Sequence, residues 1–330
     1  MSSLDRAAVY IFNPFLHPDL VVYPRAGETL AGGRLLPAYA QDMRPGAGAY
    51  TGAMATRLGC RVEHLDHVGD DVFGEYTMGR LEAAGQGTSL VRRYHGDHMV
   101  CISVADMVSQ GETMVATYPA PWRRRLEDFA ELLQSVPAGA TVYIYSWLWS
   151  FAHPDLAGRP TAAIIEGAAA RGIELLLDPN WKPRGAPPAD DRAQLLRAAA
   201  KIETLLPNLR DARHLVGSHA PGELVRRLRD LGPRTVVLKD GARGAYVASA
   251  EAGPVTRVPA AEVSPRDTTG AGDYFGGAYL AAGGSPVHRA AFACAAAGLA
   301  MSRAAGEPLP DRQEVDAVAK DLEDRAEEVS

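Results

Sequence analysis

The segment from Asp267 to Ala281, DTTGAGDYFGGAYLA, has the residue types of an anion-binding turn that opens a helix. Its first seven positions contain two threonines, two glycines, two aspartates and one alanine, and mostly small or apolar residues follow. Amides at a helix start have no partner within the helix, and the helix dipole adds partial positive charge there. Gly270 and Gly272 would let the backbone approach an anion, because no Cβ stands in the way. Asp273 falls in the first turn, where a carboxylate is either a cap or a base.

The elements that must position this turn alternate between short β-rich runs and Ala- and Leu-rich helical runs. The alternation predicts βαβ units and a mainly parallel sheet. The length allows one large α/β domain or two smaller ones, and we expect a single domain over 1–330. In such sheets ligands bind beyond the carboxyl ends of the strands. The predicted strands lie within 7–14, 61–69, 140–149, 172–180, 202–208 and 234–241. The predicted helices include 51–59, 160–172 and 221–232.

Two segments, about 20–44 and about 88–118, contain short alternating strands with no helix between them. The second is predicted to fold as a hairpin around 109–111. We expect the two insertions to pair into a small sheet that covers the active site as a lid. The charged C-terminal tail, 320–330, is predicted to be a helix end that frays.

Bulk composition restricts the class of protein. The chain has 330 residues, 47% of them hydrophobic and 22% charged, as in an ordinary globular protein. A net charge of −6 and the absence of a long Lys/Arg run argue against a nucleic-acid partner. No apolar stretch has the ~18 residues that a membrane span needs, so no membrane association is expected. Three widely spaced cysteines and no signal-peptide pattern predict a cytoplasmic location.

Six motifs, taken in order along the chain, resemble those of the ribokinase-like (PfkB-type) carbohydrate kinases. The resemblance covers roughly 8–315 and is closest to the fructokinase and 2-keto-3-deoxygluconate kinase branch. It implies a ribokinase-like α/β fold, with a central, mostly parallel sheet flanked by helices and a small β-sheet lid. The motifs are PGAGAYTGAMATRLG (45–59), VGDDVFGEY (68–76), LLLDPNWKP (175–183), LLPNLRDA (205–212), VVLKDGARGAYV (236–247) and DTTGAGD (267–273).

The resemblance implies ATP-dependent phosphorylation of a hydroxymethyl group on a sugar or sugar acid. Gly270, Ala271 and Gly272 would then form an anion hole for the transferred group, and Asp273 would be the general base. ATP and Mg²⁺ are the implied cofactors, and a monovalent cation is a further candidate. Two alternatives stay open: a nucleoside kinase of the same fold, and a non-catalytic regulator that binds a sugar or nucleotide.

The resemblance also places residues at the nucleotide end of the site. The candidates for cofactor binding are Asn208, Lys239, Gly241, Gly244, Thr268 and Cys294. Lys239 could instead be a solvated strand-end lysine, the two glycines could simply make a turn, and Cys294 could be a core residue. Asn208 and Asp211 are candidates for placing Mg²⁺ through water, although the family usually has Glu where this chain has Asp211. The alternative is a loop asparagine with a helix-capping aspartate.

The substrate-binding candidates implied by the resemblance are Asp19, His17, Gly46, Gly48, Tyr50, Asn180 and Lys182. A carboxylate at Asp19 could accept hydrogen bonds from two adjacent sugar hydroxyls. Tyr50 stands where many members have Asn, so it either changes the pocket or is a core aromatic. Lys182 could meet a substrate carboxylate or phosphate, or lie on the surface. By analogy with related kinases, we expect a homodimer formed through the lid.

Overall fold

The computed structural model describes residues 8–12, 16–24, 38–106, 111–117, 131–145, 159–180, 189–250, 253–304 and 307–329. The strands within these residues are Val9–Phe12 (β1), Pro18–Pro24 (β2), Ala38–Pro45 (β3), Val62–His64 (β4), Asp66–Gly69 (β5), Val91–Tyr94 (β6), Cys101–Asp106 (β7), Gly111–Ala116 (β8), Thr141–Tyr145 (β9), Glu174–Asp178 (β10), Thr204–Leu205 (β11), Thr235–Lys239 (β12), Ala245–Ser249 (β13), Val255–Val258 (β14) and Glu327–Val329 (β15). The helices are Ala47–Arg57 (α1), Val72–Ala83 (α2), Arg159–Ala170 (α3), Ala189–Ala198 (α4), Leu209–Val216 (α5), Pro221–Asp230 (α6), Ala271–Ala281 (α7), Pro286–Ser302 (α8) and Arg312–Asp324 (α9).

A large sheet runs through the molecule in the order β15-β14-β13-β12-β11-β10-β9-β1-β4. Neighbouring strands from β4 to β12 are parallel, whereas β12 to β15 pair antiparallel. The parallel strands are apolar on both faces, because each face must be covered by helices. Alternate residues of β9 therefore enter two different hydrophobic clusters, Val142 and Ile144 in one and Tyr143 and Tyr145 in the other.

The helices named above divide between these two faces, except for α2, whose Met78 and Leu81 pack in a third, smaller cluster. Apolar residues of α3, α4, α5 and α6 pack in the cluster with Val142. Those of α1, α7, α8 and α9 pack in the cluster with Tyr143. Helix α7 approaches the sheet closely, since a Cβ at Gly276 would lie 2.4 Å from the hydroxyl oxygen of Tyr143. The small residues that follow the DTTGAGD turn thus bring the start of α7 down onto β9.

A separate four-stranded sheet has the order β3-β2-β7-β8, which joins the two predicted insertions. Strands β2 and β7 pair in parallel at its centre, and a hairpin partner flanks each of them. The hairpin turn predicted around 109–111 lies mostly outside the described residues. Strand β6, within the second insertion, pairs instead with β5 in a two-stranded sheet.

The C-terminal tail differs from its prediction. Helix α9 ends at Asp324, and Glu327–Val329 then pairs with β14 as the edge strand of the large sheet. The Arg257 guanidinium bonds the Glu327 carboxylate at 2.7 Å across this pair. The charge that predicted fraying is therefore typical of an exposed edge strand, where charged side chains discourage pairing with other chains.

Candidate active site

The DTTGAGD segment forms a turn that ends at the N-terminus of α7. Gly270 precedes the helix with a φ of 76°, a left-handed conformation that glycine adopts without strain. Its carbonyl accepts the first helical bond, from the Tyr274 amide at 2.8 Å. Of the predicted anion-hole residues, Ala271 already donates its amide to the Thr268 carbonyl at 3.2 Å, whereas Gly272 is exposed. Thr268 is also exposed. The helix start is thus open to solvent at Gly272.

Asp273 meets a tyrosine from the neighbouring strand. The Tyr145 hydroxyl, at the carboxyl end of β9, donates to Oδ1 of Asp273 at 2.8 Å. Thr51 from α1 shares a short hydrogen bond with the same hydroxyl and donates to the Asp273 carbonyl at 3.0 Å. Burial, together with the charges of Asp273 and Asp178, raises the pKa of Tyr145 well above its ordinary value. The phenol therefore stays protonated and serves as a hydrogen-bond donor to the carboxylate.

A second tyrosine on the same face of β9 holds another carboxylate. The Tyr143 hydroxyl donates to Oδ2 of Asp178 at 2.8 Å, and Lys239 makes a short ion pair with the same oxygen. Asp178 ends β10, next to Tyr145 in the parallel register. A Cβ at Gly272 would lie 3.7 Å from the Lys239 ammonium nitrogen, so this cation stands beside the helix start. Lys239 is nearly buried and paired, which rules out the solvated strand-end lysine.

Asn208 and Asp211 form a reciprocal capping box at the start of α5. The Asp211 amide donates to Asn208 Oδ1 at 2.9 Å, and Oδ2 of Asp211 accepts from the Asn208 amide. Asp211 is completely buried, and its Oδ1 has no hydrogen-bond partner within the described part of the chain. Burial and the nearby charge of Asp178 raise the pKa of Asp211 to about 7, against the opposing effect of Lys239. The capping role is therefore present, and it leaves Asp211 Oδ1 without a hydrogen bond, 3.9 Å from the Arg210 guanidinium.

The predicted sugar side of the site begins where β2 starts. His17 Nε2 lies 3.0 Å from Asp19 Oδ1, and both residues are buried. Burial alone would lower the pKa of His17, but the Asp19 carboxylate raises it to about 10. The pair is therefore an imidazolium with a carboxylate at neutral pH. The Gly46 amide donates to the His17 carbonyl at 2.7 Å, which fixes the start of α1 against this pair.

Gly48 and Tyr50 follow on α1, and both are buried. The Tyr50 ring packs edge to face against Tyr274, with the ring centroids 5.5 Å apart. A Cβ at Gly270 would lie 3.3 Å from the Tyr50 ring, so this tyrosine packs directly against the anion turn. Burial raises the pKa of the Tyr50 phenol well above its ordinary value, and the Asp19 charge adds to the effect. Tyr50 therefore joins the predicted sugar side to the DTTGAGD turn.

The small sheet contacts the anion turn through Asp267. The Arg44 guanidinium, on β3, donates to Asp267 Oδ2 at 2.7 Å and to the Tyr23 hydroxyl at 2.8 Å. Oδ1 of Asp267 accepts from the Thr269 amide at 2.9 Å. Burial would raise the pKa of Asp267, but Arg44 and the Thr269 amide lower it below its ordinary value. One carboxylate thus ties the small sheet to the phosphate-loop candidate.

The other predicted residues of the site lie on several different elements. Asn180 follows β10 with a φ of 41° and donates its amide to Asp178 Oδ1 at 3.1 Å. Gly241 and Gly244 make the turn between β12 and β13. Cys294 is buried in α8, where burial raises the pKa of its thiol to about 12. Lys182 lies outside the described residues.

Comparison with known proteins settles the class. A family model described as pfkB family carbohydrate kinase matches residues 44–312. The chain belongs to this family. Among its relatives, 2-dehydro-3-deoxygluconokinase of Thermoproteus tenax is 29% identical over 288 residues, 81% of this chain and 82% of that protein. Fructokinase of Vibrio alginolyticus is 25% identical, covering 72% of this chain and 75% of the other. The protein is therefore a kinase that phosphorylates an alcohol group.

Solved structures show the same fold. Phosphofructokinase-2 of Escherichia coli in complex with potassium matches with a TM-score of 0.74 at 19% identity, over 96% of this kinase and 99% of that chain. A second E. coli protein, provisionally assigned as ribokinase II and solved with ATP and Mg²⁺, matches with a TM-score of 0.76 at 19% identity, over 96% and 100% of the two chains. The predicted ribokinase-like fold is confirmed. In the described part of the kinase, no helix is long and apolar enough to cross a membrane.

Tyr143, Tyr145, Asp178 and Arg44 are among the residues of this kinase's site that were not predicted as site residues from the sequence. A signal for three of them exists in hindsight. Two tyrosines at i and i+2 in the strand TVYIY point a pair of hydroxyls from one face, and Asp178 ends the adjacent strand. Buried hydroxyls need partners, which makes carboxylates at the same sheet edge the natural choice. Arg44 has no comparable signal, because its partner lies 223 positions away.

Proposed function

We propose that this kinase transfers the γ-phosphoryl group of ATP to a hydroxymethyl group of a sugar or sugar acid, with Asp273 as the general base. The observation that carries the proposal is the position of Asp273 in the open helix start, with Oδ1 accepting from the neutral Tyr145 phenol. A base must be ionised and aimed, and this hydrogen bond favours both. The exposed Gly272 backbone and the adjacent Lys239 would stabilise charge on the transferred group.

The residues around Lys239 fit Mg²⁺. Asp178 and Asp211 supply carboxylates, and the buried Asp211 Oδ1 has no hydrogen-bond partner in the described chain, only the Arg210 guanidinium 3.9 Å away. Mg²⁺ prefers oxygen ligands and keeps several waters, so Asn208 and Asp211 would hold it through water. When bound, the ion would supply positive charge that offsets the negative charge of the phosphate groups. The residues predicted for the nucleotide, Lys239, Gly241, Gly244, Thr268 and Cys294, belong to this half of the site. A monovalent cation is also proposed, with no residue assigned to bind it.

The sugar half of the proposed site is Asp19, His17, Gly46, Gly48 and Tyr50, with Asn180 and Lys182 also assigned to it. Asp19 would accept from sugar hydroxyls while His17 holds its carboxylate in place. Tyr50 is only 7% exposed, which leaves little ring face for stacking a nucleobase and favours a sugar over a nucleoside. Val115 of β8 and Met43 of β3 are exposed apolar residues of the small sheet, which supports the proposed homodimer through the lid.

The test is Asp273→Asn in an ATP-turnover assay against sugars, sugar acids and nucleosides. We expect kcat to fall by ~10²-fold or more while nucleotide binding, measured by calorimetry, changes little. Asp267→Asn is the comparison: it removes a charge from the same turn without removing the base, so it should act mainly on the KM, and kcat should fall much less than in Asp273→Asn. Near-normal turnover in Asp273→Asn would refute the base assignment. Turnover of nucleosides alone would favour the nucleoside kinase, and tight binding without turnover of any compound would favour the regulator.

A further inference from the structure

Three side chains of different chemistry converge at the start of the small sheet. Asp19 on β2 lies directly opposite Cys101 on β7 in the parallel register. Residues opposite each other on paired strands project from the same face, and a residue two positions away along the strand shares that face. His17 comes two positions before Asp19, and its Nε2 reaches to 3.0 Å from Asp19 Oδ1. The backbone register therefore builds a cluster of one imidazole, one carboxylate and one thiol.

The spacing of the three ligand atoms is close to that of a tetrahedral metal site. The His17 nitrogen, an Asp19 oxygen and the Cys101 sulfur all lie within 4.8 Å of one another. Zinc bonds of about 2.0–2.3 Å place tetrahedral ligand atoms about 3.3–3.8 Å apart. Shifts of about half an ångström in each side chain would bring the cluster to that geometry. We propose that His17, Asp19 and Cys101 form a zinc-binding site in this kinase.

The surroundings of the cluster favour a metal ion. His17, Asp19 and Cys101 are 4%, 8% and 1% exposed, so the ligands are held by packing rather than by solvent. Apart from its ion-pair contact with His17, the buried Asp19 Oδ1 has no hydrogen-bond partner in the described residues. Gly46 packs closely against the imidazole and helps to hold it in place, since a Cβ there would lie 2.8 Å from His17 Nε2. An ion bound here would satisfy a carboxylate oxygen that the protein leaves under-coordinated.

The donor set selects the kind of metal. Thiolate and neutral imidazole ligands suit Zn²⁺, whereas Mg²⁺ and Ca²⁺ take oxygen ligands. Zn²⁺ would therefore displace the proton that His17 Nε2 holds against Asp19, so its binding should tighten as the pH rises. Three protein ligands leave a fourth position open to water or to a substrate oxygen. The ion would also occupy the Asp19 carboxylate, which the proposed function assigns to the sugar hydroxyls. Zn²⁺ is therefore expected to compete with the sugar, and this second step rests on the proposed function whereas the metal site does not.

Metal binding is tested on the full chain, stripped with a chelator, kept reduced, and saturated with Mg²⁺ so that oxygen-only sites are filled. Titration with Co²⁺ should produce thiolate-to-cobalt absorption, and Zn²⁺ competition with a chromogenic chelator should give about one equivalent per chain. Cys101→Ser should abolish the absorption, and His17→Asn should weaken Zn²⁺ binding about tenfold or more. Cys60→Ser, which removes another buried cysteine thiol, is the matched control and should bind as the wild type does.

Two results would overturn the site: cobalt–thiolate absorption that persists in Cys101→Ser, or wild-type Zn²⁺ binding no tighter than that of Cys101→Ser. If the variants fold poorly, X-ray absorption at the zinc edge of the wild type decides, because the proposal requires one sulfur among nitrogen and oxygen ligands. Initial rates at fixed MgATP test the second step. Zn²⁺ should raise the KM for the sugar without lowering kcat. Binding of Zn²⁺ with an unchanged KM would keep the metal site and overturn the role of Asp19 in sugar binding.

Discussion

The substitution Tyr145→Phe removes a single oxygen atom and, with it, the hydrogen bond from Tyr145 to Asp273. The hydroxyl donates at 2.8 Å to a carboxylate oxygen and is fully buried, so water cannot replace it without rearrangement. A hydrogen bond to a charged group contributes about 1.5–3 kcal/mol. Since one pH unit corresponds to about 1.4 kcal/mol, the acid limb of the pH–rate profile should move up by about one to two units. Below that limb, turnover should fall by about 10- to 100-fold, and the alkaline plateau should stay near the wild-type value.

The assay is kcat/KM for the best sugar substrate between pH 5 and 9, with Mg²⁺ and ATP saturating. Tyr279→Phe is the control, because it removes an equally buried phenol hydroxyl six residues further along α7. Its profile should overlay that of the wild type. A Tyr145→Phe profile that drops uniformly at every pH, with no movement of the limb, would refute the reasoning. Tyr145 would then support the packing of α7 without affecting the ionisation of Asp273.

Three further predictions concern the surroundings of this pair. Burial raises the pKa of Asp211 from 3.8 to about 7, so between these pH values the folded protein keeps a proton that the unfolded chain loses. Without metal, the unfolding free energy of the wild type, measured relative to that of Asp211→Asn, should therefore fall by up to about 4 kcal/mol between pH 4 and 7. Urea titrations at a series of pH values measure this difference, and a pH-independent difference would contradict it. Arg44→Gln removes the guanidinium that bonds Asp267 and Tyr23, and steady-state kinetics should show the KM for the sugar rising about tenfold with a smaller loss in kcat. If the substitution impaired kcat and the KM for ATP equally, Arg44 would instead be assigned to the nucleotide side. Gly276→Ala places a Cβ 2.4 Å from the Tyr143 hydroxyl and should lower the unfolding free energy by about 1–3 kcal/mol in thermal melts, whereas Gly79→Ala, where a Cβ meets nothing within 4 Å, should not.

The sequence is most informative where the chemistry is local. The turn from Asp267 to Asp273 contains its own glycines, its own carboxylates and the start of its helix within seven positions, so its shape follows from residue types alone. The alternation of strands and helices likewise predicts the parallel part of the large sheet. The antiparallel edge from β12 to β15 was not predicted. Its last strand, β15, is short and carries two glutamates, so its sequence is also typical of a frayed tail, and only the pairing with β14 identifies it as a strand.

Contacts between distant segments require a strand register, which composition does not provide. Tyr145 and Asp273 are 128 positions apart, and Lys239 and Asp178 are 61 positions apart. Lys239 was predicted to meet phosphate, and the structure adds an ion pair with Asp178 that any phosphate must share. The identity of that partner depends on where β10 ends relative to β12, and a slip of one residue would turn either side chain to the opposite face.

The charges in the proposed nucleotide half would favour a divalent ion there. Asp178, Asp211 and Asp273 contribute three carboxyl groups from three different elements, and the described contacts place Lys239 beside Asp178 and Arg210 beside Asp211. The site reduces this excess by leaving Asp211 protonated up to about pH 7. Bringing triphosphate charge next to the remaining carboxylates would be unfavourable in a partly buried setting without further positive charge. Mg²⁺ at Asp211 would supply it and favour the ionised form of that carboxyl, so protonation of Asp211 and metal binding are alternative ways of balancing the same cluster.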